Sequence, residues 1–191
     1  VVRVNASFVS DILELTPKPQ TGEHTMKAEA PSQEVPKVSR NELIALLNED
    51  LAREYQAIIS YVVYSQVLKG AEFMNIAAEL EKHAAEELSH ALMISNQIDY
   101  LGGMPAVQPK PVRTSEKARE MLRFDLINEG ETIRNYRVRV RQCEQLGEYA
   151  MAEHIREILM DEQDHQISLA TALGEDVPVV KSTPPVADKK G

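Results

Sequence analysis

Two tetrapeptides in the chain pair a carboxylate with an imidazole at the same interval: Glu87-Leu88-Ser89-His90 and Glu162-Gln163-Asp164-His165. On a helix, residues i and i+3 share a face, so each Glu-x-x-His offers two metal-ligating groups side by side. Each is preceded at one distance by a further carboxylate: Glu54 stands 33 residues before Glu87, and Glu129 stands 33 before Glu162. Carboxylates and neutral imidazoles without a thiolate suit iron or manganese and also accept zinc. One Glu-x-x-His alone is ordinarily solvated helix surface. Two of them, each with a carboxylate at the same upstream interval, are a metal-site pattern.

The elements that position these groups follow from the same repeat. An offset of 75 residues carries Asp50-Leu51 onto Asp125-Leu126, Ile58 onto Ile133, Tyr61 onto Tyr136 and Ala77 onto Ala152, so the chain reads as a duplicated helical hairpin. Helix formers dominate its middle, and the alternating pattern of strands is nearly absent there. The first helix opens at Ser39, with Glu42 completing a capping box, and runs to about Gly70. Leu43, Leu46, Leu47, Leu51, Ile58 and Val62 share its apolar face. The second runs from about Glu72 to Tyr100 and is stopped by Gly102-Gly103 and Pro105. After a connection containing Pro109 and Pro111, Ser115 caps a third helix that reaches about Leu146; Gly147 then introduces a fourth, ending near Leu173-Gly174. Two short turns and one long connection predict an all-α fold, a four-helix bundle of two antiparallel hairpins with a long crossover. The bundle takes residues 39–173. Residues 1–38, with Pro17, Pro19, Gly22, Pro31 and Pro36, read as a flexible N-terminal arm, and 174–191, with Pro178, Pro184 and Pro185, as a flexible C-terminal tail.

The turns set the height of each ligand. Glu54 lies 16 residues before Gly70 and Glu87 17 after it, so at 1.5 Å per residue both stand roughly 24–26 Å from that turn. Glu129, 18 residues before Gly147, and Glu162, 15 after it, reach a similar level. Four carboxylates and two imidazoles therefore converge near mid-bundle. Unpaired, such buried charges cost on the order of several kcal/mol each and repel one another. Two divalent cations balance the four carboxylates, and neutral imidazoles complete the ligand set.

The segments Glu54-Tyr55-Gln56-Ala57-Ile58-Ile59-Ser60-Tyr61, Glu87-Leu88-Ser89-His90-Ala91, Asp125-Leu126-Ile127-Asn128-Glu129 and Glu157-Ile158-Leu159-Met160-Asp161-Glu162-Gln163-Asp164-His165 resemble bacterioferritin. Leu101-Gly102-Gly103-Met104-Pro105 and Glu120-Met121-Leu122-Arg123 are similar to the same family, and the resemblance covers roughly residues 40–173. It implies a ferritin-like fold with two iron ions per subunit. Glu54 and His90 would hold one iron, Glu129 and His165 the other, and Glu87 and Glu162 would bridge them. Tyr61 matches a tyrosine near the family's metal site, as a neighbouring or redox-active group. Two departures bear on what is carried over. Leu88 stands where the family has the methionine that ligates haem between subunits, so haem is not expected. The Pro-containing end replaces the family's short fifth helix, so a 12-subunit assembly stands beside a 24-subunit shell.

The function that the resemblance implies is that of a ferroxidase that would bind two Fe(II) per subunit and oxidise them with O2 or H2O2. It would store or detoxify the product in a homo-oligomeric shell. Two alternatives remain: a non-storage di-iron peroxidase or oxidase similar to rubrerythrin, and a Dps-like DNA-protecting protein. The single cysteine, Cys143, excludes a rubredoxin module and an intramolecular disulfide, and suggests a reducing compartment. In the N-terminal arm Arg3, Lys18, Lys27, Lys37 and Arg40 are balanced by Asp11, Glu14, Glu23, Glu29 and Glu34, so DNA is not an expected partner. The net charge of -9 suits attraction of cations. No stretch approaches the roughly 18–20 apolar residues of a membrane span, and the opening residues are too polar for a secretory signal; a soluble, cytoplasmic protein is expected. His83, within Glu79-Leu80-Glu81-Lys82-His83, reads as a solvated face, His24 and His154 as arm and surface, and Tyr136 and Cys143 as packing residues of the third helix.

Overall fold

The computed structural model describes residues 37–181, and among these four long helices and no strands are found. Helix α1 spans Arg40–Val67, α2 Met74–Tyr100, α3 Ala118–Gln145 and α4 Tyr149–Leu173. The arm at residues 1–36 and the last residues, 182–191, lie outside the described part.

Ser39 caps α1 as its sequence predicts. The Ser39 hydroxyl accepts from the Glu42 backbone N–H at 3.3 Å, and the Glu42 carboxylate accepts from the Ser39 N–H at 2.7 Å. The helix stops at Val67, short of Gly70, and a single 3-10 turn over Ala71–Phe73 precedes α2. At the other hairpin Gly147 turns the chain with φ 77°, a conformation that a Cβ disfavours. The third helix departs from expectation at its start. Ser115 is not its cap: α3 begins at Ala118 after an extended Lys117, while the Ser115 hydroxyl accepts from the Lys117 N–H and donates to Glu120.

The connection between α2 and α3 runs back along α1. The Ala106 N–H donates to Asn48 at 2.6 Å, the Lys110 N–H to the Ala52 carbonyl at 2.8 Å, and Gln56 to the Pro111 carbonyl at 2.6 Å. Tyr64 donates to the Arg113 carbonyl further on. Each step along the connection is a step along α1, so α3 starts beside the end of α1 and runs antiparallel to it. α1 packs on α2 and α3 on α4, and the long crossover joins the two hairpins.

Two apolar clusters fill the ends of the bundle. One gathers Leu43, Leu47 and Leu51 with Ile94, Ile98, Tyr136, Cys143 and Ile155; the other gathers Tyr61, Tyr64, Leu80, Leu122, Leu126, Leu169 and Leu173. Burying each aliphatic side chain contributes about 1.5–3 kcal/mol, which offsets the polar stretch that the middle of every helix places between them. Val62 does not belong to the inward face and is 51% exposed, because that face passes through Tyr61 and Tyr64 instead. Past Gly174, Glu175 pairs with Arg123 and the Val180 carbonyl accepts from Arg137 at 3.0 Å, so residues 175–180 return along α3. No described helix is long and apolar enough to cross a membrane.

Candidate metal centre

Between the apolar ends lie Glu54, Glu87, His90, Glu129, Glu162 and His165, each at most 3% exposed. α1 delivers Glu54, α2 Glu87 and His90, α3 Glu129, and α4 Glu162 and His165. Their donor atoms form two groups, each within a span of 4.8 Å: Glu54, Glu87, His90 and Glu162 in one, Glu87, Glu129, Glu162 and His165 in the other. Glu87 and Glu162 belong to both. The structure thus brings all six sequence-derived candidates to one place, with two carboxylates common to the two halves.

The atoms face a shared centre, and apart from the hydrogen bond between His90 and Glu87 several of them are left unsatisfied. The Nδ1 of His90 lies 3.4 Å from Glu54 Oε2, 3.2 Å from Glu87 Oε2 and 3.4 Å from Glu162 Oε1. The Nδ1 of His165 lies 3.1 Å from Glu87 Oε1, yet neither atom has a hydrogen bond. Glu54 Oε2 and Glu162 Oε1 are likewise buried without a hydrogen-bond partner. Orphaned buried oxygens and nitrogens are expensive, and cations at their focus satisfy them. The donor set fits two oxygen- and nitrogen-loving divalent ions.

Electrostatics shows the same strain. Burial, then repulsion by neighbouring carboxylates, pushes Glu129 well above the usual carboxylate range, raises Glu87 and lifts Glu162 to about 8. Burial opposes charge on His165, but the close carboxylates of Glu87 and Glu129 outweigh it and raise the imidazole to about 9. His90 is raised in the same way, its burial overcome by Glu162, Glu54 and Glu87. Protons stand in for positive charge here.

Around the six lie groups that the motif pattern did not single out. The Nε2 of His165 donates to Glu86 at 2.9 Å, and the Nε2 of His90 to Asp161 at 3.0 Å. A carboxylate at this spot accepts only, so Nε2 of each ring carries a proton and Nδ1 faces inward. Glu86 and Asp161 are related by the 75-residue offset, and that repeat was the signal that could have found them. The Tyr61 hydroxyl donates to Glu129, and the Tyr136 hydroxyl donates to Glu54, again as repeat mates. Tyr136 is therefore more than packing: fully buried, it holds a carboxylate of the centre.

His83 also differs from its sequence reading. It is 5% exposed and stacks on His165 with ring centroids 4.1 Å apart, and burial followed by the charge of His165 lowers it to about 4. The charged run around it occupies the outer face, whereas Leu80, His83, Glu87 and His90 fall at i, i+3, i+7 and i+10 along the inner one.

The Ferritin-like domain family matches residues 44–176, most of the helical part. The chain belongs to that family. Among ferritin-like relatives, a bacterioferritin of Brucella melitensis is 28% identical over 141 residues, covering 70% of this chain and 88% of that protein. A ferritin-like, diiron-carboxylate protein from Bacillus anthracis superposes with a TM-score of 0.68 at 34% identity, covering 70% of this chain and 96% of that one. A dodecameric thioferritin, the bacterioferritin-related protein from Bacteroides fragilis, superposes with a TM-score of 0.67 at 27% identity over 72% of this chain and 88% of that one. Within the ferritin-like fold, the duplicated hairpin accounts for the near two-fold arrangement of the centre: each of the six donor residues, and Glu86 and Tyr61 beside them, has its mate in the other half.

Proposed function

We propose that this chain is a ferroxidase that takes two Fe(II) per subunit as substrate at the six-residue centre. Glu54 and His90 hold one ion, Glu129 and His165 the other, and Glu87 and Glu162 bridge. The observation that carries the reading is that the two four-donor groups share those two glutamates. Bound there, the ions each lose one electron to O2 or H2O2. The chain's own groups do the rest: carboxylates replace the water of the arriving ions, Glu86 and Asp161 keep the imidazoles in one tautomer, and Tyr61 and Tyr136 fix the terminal carboxylates. Manganese and zinc are other occupants the ligands suit.

Storage of the oxidised iron in a homo-oligomeric shell completes the proposal. The bacterioferritin and dodecameric thioferritin relatives support it, as do the exposed apolar side chains of Val62, Leu88 and Leu92 on the first hairpin, which suit a subunit contact. Leu88 in place of a thioether argues against haem, and a cytoplasmic location fits the lone, buried thiol.

The test is aerobic Fe(II) addition to metal-free protein, following oxidation by absorbance and native mass by light scattering. Oxidation in a large assembly, with uptake far beyond two ions per chain, is the expected result. A monomer or dimer that stops near two per chain would leave the centre and remove storage; no oxidation would remove the ferroxidase.

A further inference from the structure

The two halves of the centre match ligand for ligand, but the rung beyond them does not. On α1, Asp50 sits one turn before Glu54; on α3, its repeat mate Asp125 sits one turn before Glu129. Asp50 is neutralised: Arg139 donates to its two oxygens at 2.7 and 3.2 Å, and the pair is buried. The repeat mate of Arg139 is Tyr64, whose hydroxyl goes to the Arg113 carbonyl instead. Asp125 is 2% exposed; Ser60 hydrogen-bonds the carboxylate, and Oδ2 is left with no hydrogen bond. The guanidinium of Arg113 stacks on the ring of Phe124 at 4.3 Å and reaches Asp125 only through its field, without a hydrogen bond.

Asp125 also lines a cleft between α1 and α3. Arg53, Gln56, Asn128 and Thr132 stand around it, and Glu54, Glu87, Glu129 and Glu162 are reached from it. Its volume, about 10 Å³, is room for one water or one bare ion. Arg53, the cation at this cleft, is drawn to Glu131 at 2.8 Å.

We propose that this cleft is the port by which divalent cations reach the centre and that Asp125 is a transit ligand there, receiving an ion before Glu129 and the bridging glutamates take it. The proposal rests on the ferroxidase reading and adds a third, passing cation position to it. The physical case is the broken repeat. A buried carboxylate with one oxygen unsatisfied and no guanidinium bound to it is costly, and the other copy of the same aspartate shows how the fold seals one when no ion needs it. Burial first, then the charges of Glu129 and Glu87, raise Asp125 well above its usual range, a load that a passing cation relieves.

The test is stopped-flow binding of Co(II) to metal-free full-length protein, read by its ligand-field absorbance. Asp125→Asn, nearly isosteric, is expected to slow association roughly tenfold while the endpoint stays at two Co(II) per chain. Tyr64→Arg, which rebuilds the seal seen at Asp50 and Arg139, is expected to slow it likewise. An unchanged association rate in both variants, or loss of the two-ion endpoint in Asp125→Asn, would overturn the proposal. Wild-type protein that binds no Co(II) at all would overturn the ferroxidase reading itself.

Discussion

Glu86 on α2 holds the Nε2 of His165 on α4 at 2.9 Å, and Asp161 on α4 holds the Nε2 of His90 on α2 at 3.0 Å. Each helix therefore supplies an imidazole to the centre and a carboxylate that orients the imidazole of the other. The exchange ties α2 to α4 across the bundle.

Removing those carboxylates loosens the rings without removing a ligand. Glu86→Ala and Asp161→Ala are each expected to lower divalent-ion affinity about 10–100-fold. Calorimetric titration with Zn(II) checks it, and affinities equal to wild type would show that the rings are held by packing alone.

Glu87 and Glu162 carry a sharper expectation, because each serves both ions. Glu87→Ala or Glu162→Ala is predicted to abolish paired binding, and with it Fe(II) oxidation. Wild-type oxidation rates in both variants would sink the assignment of the bridging role.

Tyr61→Phe and Tyr136→Phe each remove a hydroxyl from a terminal carboxylate. Each leaves a buried carboxylate oxygen of Glu129 or Glu54 without its donor, at a cost of about 1–3 kcal/mol in the metal-free protein. The two should destabilise alike, since the tyrosines are repeat mates in equivalent positions. A chemical denaturation series measures this, and a neutral Tyr136→Phe would return that residue to simple packing.

The raised carboxyls and imidazoles make the metal-free protein sensitive to base. Glu162, lifted to about 8, and His165, lifted to about 9, keep protons in the folded chain that the unfolded chain releases near 4.5 and 6.5. The folded state binds more protons, so stability is fullest at the acid end of that window and falls as pH rises through it. The melting temperature of metal-free protein is expected to drop between about pH 5 and about pH 9, and saturating Zn(II), which replaces the protons, is expected to remove most of the drop. A melting temperature independent of pH without metal would contradict the burial of these groups together.

The parts of this architecture that repeat were legible in the sequence. The 75-residue offset exposed both hairpins and all six candidate ligands, because a duplicated helix keeps its inward positions at fixed intervals. The same offset links Glu86 to Asp161, but a carboxylate directly beside a ligand reads as ordinary helix surface until the neighbouring helix is in place. His83 was hidden differently: the charges flanking it in sequence lie on another face of α2. The buried pair of Asp50 and Arg139 was not legible at all, since it joins residues on two helices and breaks the repeat instead of following it. Helix ends shifted by a few residues where local geometry overrode composition, as at the 3-10 turn before α2 and at Lys117.

The central claim is that two ions share Glu87 and Glu162, and anomalous diffraction from crystals of this chain loaded anaerobically with Fe(II) tests it most directly. Two peaks per chain are expected, roughly 3.5–4 Å apart, one beside Glu54 and His90, the other beside Glu129 and His165, and both in contact with the two shared glutamates. A single peak, or a pair of peaks that do not share Glu87 and Glu162, would contradict it.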